Sequence, residues 1–242
     1  LETTQAELKQ VIASKDKFFS IIAHDLRGPF TGFIGLSELL TEESESLEKE
    51  EIVQISDSMN KAAKRLFDFL ENLLEWSRTQ MGRMEYNPSP IDIRGLFDRN
   101  IALISDTASH KGIIIKHTCT TNLTVNADNY MLNTIMRNLV SNAVKFTKSG
   151  DNITLGAVAL SDELVEISVA DTGIGMTDEA KEKVFRIDTK YSTPGTNNES
   201  GSGLGLTLCR ELIAKHGGEI RVESEVGKGT AFFFTLPRFA VK

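Results

Sequence analysis

The sequence is poor in cysteine: Cys119 and Cys209 are the only two, they stand far apart, and neither belongs to a CxxC or Cys/His spacing. A zinc site and a disulfide framework are both unsupported, and a reducing, cytoplasmic setting is expected. Basic charge is short too, with 27 Lys and Arg against 34 Asp and Glu, a net charge of -7, and no basic patch. Nucleic acid, whose phosphates call for clustered Lys and Arg, is excluded as a partner. No apolar run approaches the roughly 20 residues of a membrane-spanning helix, and the first residues lack the basic-then-apolar layout of a signal peptide. No direct membrane contact is expected from this stretch. What the chain does have is ordinary for a globular protein, with 40% hydrophobic and 25% charged residues over 242 positions, a length that suggests two domains.

Between residues 8 and 40, Leu8, Ile12, Phe19, Ile22, Leu26, Phe33, Leu36 and Leu40 follow steps of three and four, interrupted at Lys15 and Pro29. That period marks a helix seam that needs a partner. The polar run TEESESLEK, 41–49, suits a turn and the first turn of a new helix, and the seam then returns at Ile52, Ile55, Met59, Ala62, Leu66, Phe69, Leu73 and Trp76. Residues 1–81 therefore read as an all-α helical hairpin. Two hairpins joined as a four-helix bundle would bury both seams, which predicts a homodimer. The run GRMEYNPSP, 82–90, reads as a linker. Residues 91–242 read as an α+β domain, with helices near 93–109 and 129–146 and strands near 113–116, 153–160, 164–170 and 230–236. A mixed sheet with helices on one face is expected.

His24, in FFSIIAHDLRGPF, lies two residues from both Ile22 and Leu26. At about 100° per residue it points away from the seam, with Lys17, Ser20, Arg27 and Thr31. A lone exposed histidine is ordinarily a solvated surface residue. Here Asp25 follows directly, able to hold Nδ1–H and leave Nε2 free to attack. Gly28 and Pro29 loosen the helix beside it, a weakness that a purely structural bundle has little reason to keep.

Downstream, NLVSNAVKFTKSG puts Asn138 and Asn142 on one helix face with Lys145 close by: carbonyl oxygens for a hard cation and an ammonium for phosphate. DTGIGM, 171–176, follows a strand and offers the Asp171 carboxylate to an exocyclic amine, with two glycines that let backbone approach a ligand. GSGLGL, 201–206, runs into a helix and offers free backbone N–H groups to phosphates, although it is neither a P-loop nor a dinucleotide fingerprint. GKGT, ending at Thr230, reads as a hairpin turn. The polar stretch 177–200, with Val184, Phe185 and Ile187 as sparse anchors, reads as a long loop serving as a lid.

In this order the motifs resemble the sensor histidine kinases of two-component signalling over nearly the whole chain. FFSIIAHDLRGPF looks like the family's phosphoacceptor box, NLVSNAVKFT its Asn box, DTGIGM and GSGLGLTLC its Gly boxes, and KVFRI its Phe box. The resemblance implies a dimeric helical bundle followed by the Bergerat-type α/β sandwich that binds ATP. It implies that His24 is autophosphorylated, with Asp25 as the acid/base that polarises it, and that the phosphate passes to an Asp of a response-regulator receiver domain. Asn142 would coordinate Mg2+, with Asn138 in support and Lys145 on phosphate. Asp171 would accept from the adenine amino group, while Phe146, Ile174 and Gly175 line the base pocket. Gly203, Leu204 and Gly205 would meet the phosphates, with Lys190 in the lid as a candidate for the γ-phosphate. Relatives that dephosphorylate their partner commonly carry Thr, Asn or Gln four residues after the phosphoacceptor. Gly28 stands there, so weak phosphatase activity is expected.

Two rivals remain on sequence grounds: an ATPase of the same fold working as a conformational clamp, and a degenerate kinase kept as a dimeric scaffold. The helical region with His24 and Asp25 counts against the first, and intact Asn142, Asp171, Gly175 and Gly205 against the second. The heptad pattern starts uncapped at Leu1, so a helix continuing upstream into a sensor module is expected.

Overall fold

A computed structural model describes residues 22, 26–43, 46–80, 84–119, 122–186, 193–197, 199 and 203–239. The chain divides into two compact units, with the break between Trp76 and Ser77.

The first unit holds helix α1 over residues 26–43 and most of helix α2, Lys49–Gln80. The turn between them is made as the polar run requires. Ser46 N–H donates to Glu43 O at 2.9 Å, and the Glu51 carboxylate reaches back to the Glu48 N–H at 3.0 Å, satisfying a donor at the start of α2. The seam positions Ile22, Leu66 and Phe69 are buried, while Phe30, Ile34, Val53, Phe67 and Leu74 stay about half exposed or more.

The second unit is built on a five-stranded mixed sheet of order β2-β4-β5-β7-β6. Its strands are β2 (Ile114–His117), β4 (Asn152–Ala159), β5 (Leu164–Asp171), β6 (Ile220–Glu225) and β7 (Gly229–Pro237). β2 and β4 run parallel and the other pairs antiparallel. Across the centre, Val165, Ile167 and Val169 of β5 face Leu236, Phe234 and Phe232 of β7, and all six are buried. Their alternation gives the sheet one apolar face. On the other, Arg221 lies over the Phe233 ring, 3.8 Å from its centroid, and pairs with Glu166 at 3.1 Å.

Three helices close the apolar face: α3 (Ile93–His110), α4 (Asn129–Phe146) and α6 (Gly205–Lys215), with α4 packed against both others. Leu96, Phe97, Leu132, Ile135, Met136, Leu139, Leu208, Leu212 and Ile213 are fully buried here. Each contributes about 1.5–3 kcal/mol of apolar transfer. Asp92 and Asp128 cap α3 and α4, accepting from Gly95 N–H and from Tyr130 and Met131 N–H. The mixed sheet with helices on one face is as expected.

Two segments differ from the sequence reading. The linker expected over 82–90 ends sooner, because Pro88 and Pro90 lie in strand β1 (Pro88–Asp92), paired antiparallel with β3 (Thr124–Asp128). A two-stranded sheet is all edge, where proline's missing donor costs nothing. The stretch 177–200 is not loop from its start: Asp178–Lys183 forms helix α5, capped by Thr177 Oγ1, which accepts from Ala180 N–H.

Candidate functional site

The second unit assembles most of the sequence's candidates at one end of its sheet. Asn138, Asn142 and Lys145 lie along the half-buried face of α4, whose other face is core. Asn138 Nδ2 donates to Thr134 O at 3.0 Å, and its Oδ1 meets the start of α6, where a Cβ on Gly205 would lie 2.5 Å away. Gly205 is therefore needed for close approach. Leu204 is buried, Gly203 has φ +69°, and no side chain caps α6. An uncapped helix start after a glycine turn presents N–H groups to an anion. Thr207, in the first turn, keeps a buried Oγ1 with no hydrogen-bond partner.

Asp171 ends β5. Its Oδ1 accepts from Gly173 N–H at 2.9 Å and Thr230 N–H at 3.3 Å. Burial, its largest influence, pushes the carboxyl up to about 6; those two N–H donors pull it down and Asp151 pushes it up. The backbone after it runs between α4 and the β6–β7 hairpin. Ile174 N–H donates to Phe146 O at 3.1 Å, and Gly227 N–H to Ile174 O at 2.8 Å. The hairpin turn expected at GKGT is thus present and braces the site.

Gly175 has φ +67°, and a Cβ there would stand 2.0 Å from Glu225 O. A left-handed L-residue costs about 1–2 kcal/mol and the backbone collision about 1–3 more, so Gly175→Ala is expected to lose roughly 2–5 kcal/mol of stability. Urea denaturation measures this, and a loss under 0.5 kcal/mol would show that the turn relaxes freely.

Lys145 lies over the Phe146 ring, 4.5 Å from its centroid, and donates to Thr193 O at 3.0 Å. Burial above all lowers its pKa; Glu199 opposes that shift and Lys111 adds to it. Phe185, of KVFRI, packs edge-on against Phe232 at 6.0 Å. His24, Asp25 and Lys190 lie outside the described residues, as do Gly201 and Ser202 of the second Gly box.

The site suits a purine nucleotide: a half-buried carboxylate with Oδ2 uncommitted, glycines that admit close approach, and a start of α6 that no side chain caps. Among the described residues no cluster of three or more His, Cys, Asp or Glu could hold a metal. A divalent cation would have Asn142 as a single hard donor and would need the ligand's own phosphates, which suits Mg2+. Sequence reasoning passed over Thr207, Thr230, Lys111 and Glu199. Only Thr230 had a signal, in the GKGT turn.

Residues 127–240 match the family described as histidine kinase-, DNA gyrase B- and HSP90-like ATPase, and residues 14–82 match the His Kinase A (phospho-acceptor) domain. The adaptive-response sensory kinase SasA of Synechocystis sp. is 30% identical over 98% of this chain and 63% of its own length. That of Microcystis aeruginosa is 28% identical over 98% and 62%. The chain thus spans under two thirds of these relatives. Full-length ShkA, crystallised with AMPPNP, is similar with a TM-score of 0.67 and 30% identity, over 93% of this chain and 46% of that one. Histidine kinase ThkA in complex with response regulator protein TrrA shares the fold, with a TM-score of 0.74 at 21% identity over 96% and 64% of the two chains. With a phosphoacceptor domain and an ATPase domain in one chain, and sensory kinases aligned along nearly all of it, this chain belongs to the sensor histidine kinases, the protein histidine kinases of two-component signalling.

Proposed function

We propose that this chain transfers the γ-phosphate of ATP to its own His24 and passes it on to an Asp of a response-regulator receiver domain. The observation that carries the reading is the convergence, in one unit, of Asp171 with an uncommitted oxygen, the tight glycines 175 and 205, and the uncapped start of α6. The same chain matches the phosphoacceptor family across the residues that include His24. A clamp ATPase would share the first feature and lack the second.

Asp171 Oδ2 accepts from the adenine amino group, and Phe146, Ile174 and Gly175 wall the base. Gly203, Leu204 and Gly205 bring backbone N–H groups to the phosphates, with Lys145 adding charge and Lys190 a second ammonium in the lid. Asn142, supported by Asn138, would hold Mg2+, which would supply charge neutralisation on the phosphates. His24 Nε2 attacks the γ-phosphorus as its bond to the β-bridging oxygen breaks; ADP leaves, and the Asp25 carboxylate accepts the Nδ1 proton as positive charge develops on the ring.

A second copy of the chain is the partner for α1 and α2. Phe30, Ile34, Val53, Phe67 and Leu74 are exposed on this unit, more apolar surface than a solvated hairpin sustains, and a four-helix bundle would cover it. A cytoplasmic setting belongs to the same proposal.

The test is incubation with γ-labelled ATP and Mg2+. Label that is acid-labile and base-stable is expected, and its absence sinks the proposal. Phosphatase activity is expected to be weak, because Gly28 has no side chain to hold an attacking water and nothing within 4 Å of where one would start. Rapid loss of phosphate from a purified phospho-receiver on adding this chain would overturn that expectation.

A further inference from the structure

Lys111 forms the C-cap of α3, with its side chain only 7% exposed. Its ammonium donates to Val144 O at 2.7 Å, Lys145 O at 2.9 Å and Glu199 Oε1 at 2.6 Å. Three protons meet three acceptors. Two of these are carbonyls of the last turn of α4, where the helix has unpaired oxygens and the negative end of its dipole.

Glu199 belongs to a turn tied to itself and to that helix end. Its Oε2 accepts from Asn197 N–H at 2.7 Å, and its carbonyl from Gly195 N–H at 2.8 Å. Thr196 donates its N–H to Lys145 O at 3.0 Å and its hydroxyl to Thr147 O at 2.9 Å. Gly195 sits so tightly that a Cβ would lie 2.5 Å from Lys145 Cγ. The turn's Thr193 carbonyl in turn takes the Lys145 ammonium at 3.0 Å. Burial pushes the Glu199 carboxyl up, but the hydrogen bonds from Lys111 and from backbone N–H groups outweigh it and hold the carboxyl below its usual range.

We propose that Lys111 and Glu199 are positioning residues for the nucleotide's phosphates: their ion pair fastens the turn of residues 193–197 and 199 to the end of α4, and Thr193 of that turn fixes the Lys145 ammonium. The inference rests on reading Lys145 as a phosphate contact. Neither member of the pair touches the nucleotide. The Lys111 ammonium is the member withdrawn from water, so removing Glu199 strands its charge. The effect falls chiefly on ligands that carry phosphates, because Asp171, Ile174 and Gly175 lie outside this network and only Phe146 of the base contacts adjoins it.

Calorimetric titration of the whole chain with ATP and with adenosine separates this from a purely structural role. Glu199→Ala and Lys111→Met are expected to weaken ATP about tenfold, a loss near 1.4 kcal/mol, and to leave adenosine within about twofold. Lys111→Arg, which keeps the charge and N–H donors for the two carbonyls, should recover most of the ATP affinity. ATP binding unchanged in Glu199→Ala, or equal loss of ATP and adenosine, would overturn the proposal. Glu199 is on a partly exposed turn, so that variant remains informative if Lys111→Met fails to fold. A wild-type chain that binds adenosine but gains nothing from the phosphates would overturn the Lys145 reading as well. One that binds neither would overturn the nucleotide site itself.

Discussion

The His24→Gln chain is expected to take no acid-labile, base-stable label from γ-labelled ATP while binding ATP as tightly as the wild type. Glutamine fits a helix and keeps side-chain polarity, but its amide nitrogen has no lone pair free for attack, so the phosphoryl step is lost outright. ATP affinity is preserved because the candidate nucleotide contacts among the described residues all lie in the second unit. The structure narrows the rivals among the four histidines. His216 is 3% exposed, with Nδ1 engaged to Leu212 O at 2.7 Å and Nε2 accepting from Asp128 N–H at 3.0 Å. His117 holds Asp98 through Nε2 at 3.1 Å and has its Nδ1 buried. His110 is exposed at the end of α3, so His110→Gln is the control and should label normally. Label surviving in His24→Gln and vanishing in His110→Gln would place the phosphoacceptor on the wrong domain and end the kinase reading as stated.

How far the sequence shows the fold depends on how local the cause is. Helix α4 spans Asn129–Phe146, the range its apolar period marks, because nine of its side chains face the core and Asp128 caps it. Helix α5 is missed because DEAKEK has only Ala180 to bury; Thr177 ahead of two acidic residues was the available sign. Strand β1 is hidden by its prolines, and β3 by its polar composition, TVNAD, until each is seen pairing with the other. The site divides the same way. Asp171, Gly175 and Gly205 sit in short motifs whose backbone demands are local. Lys111 reaches acceptors 33, 34 and 88 residues away, and no pattern within α3 marks it as different from any other lysine. His24 and Asp25, which the sequence singles out most clearly, remain a reading from sequence and family.

Asp171→Asn should melt at a higher temperature than the wild type at pH 8 and bind ATP at least a hundredfold more weakly. The carboxyl stands at about 6 against an ordinary 3.8, chiefly because burial disfavours its charge. A carboxyl raised on folding binds its proton more tightly in the folded chain, so its stabilising contribution is full below about pH 4 and disappears as pH rises through about 6. At pH 8 the ionised form costs the ligand-free fold up to about 3 kcal/mol, from a shift near two units at 1.36 kcal/mol each. Asparagine keeps an Oδ1 for Gly173 and Thr230 N–H and carries no charge, so a gain of a few degrees in Tm is expected at pH 8 and none at pH 4. The ligand meets the opposite change. Where Oδ2 accepted from an exocyclic amine, the variant turns an NH2 donor against a donor, leaving both unpaired at about 1–3 kcal/mol or more each. Thermal melts at the two pH values and titration with ATP decide the matter. A lower Tm at pH 8 would refute the burial cost, and ATP affinity within threefold of wild type would remove Asp171 from the base contact. The wild type's own affinity should fall as pH drops below 6, when the proton occupies the acceptor. If both halves hold, the fold keeps a costly half-buried charge because the purine's amine requires it.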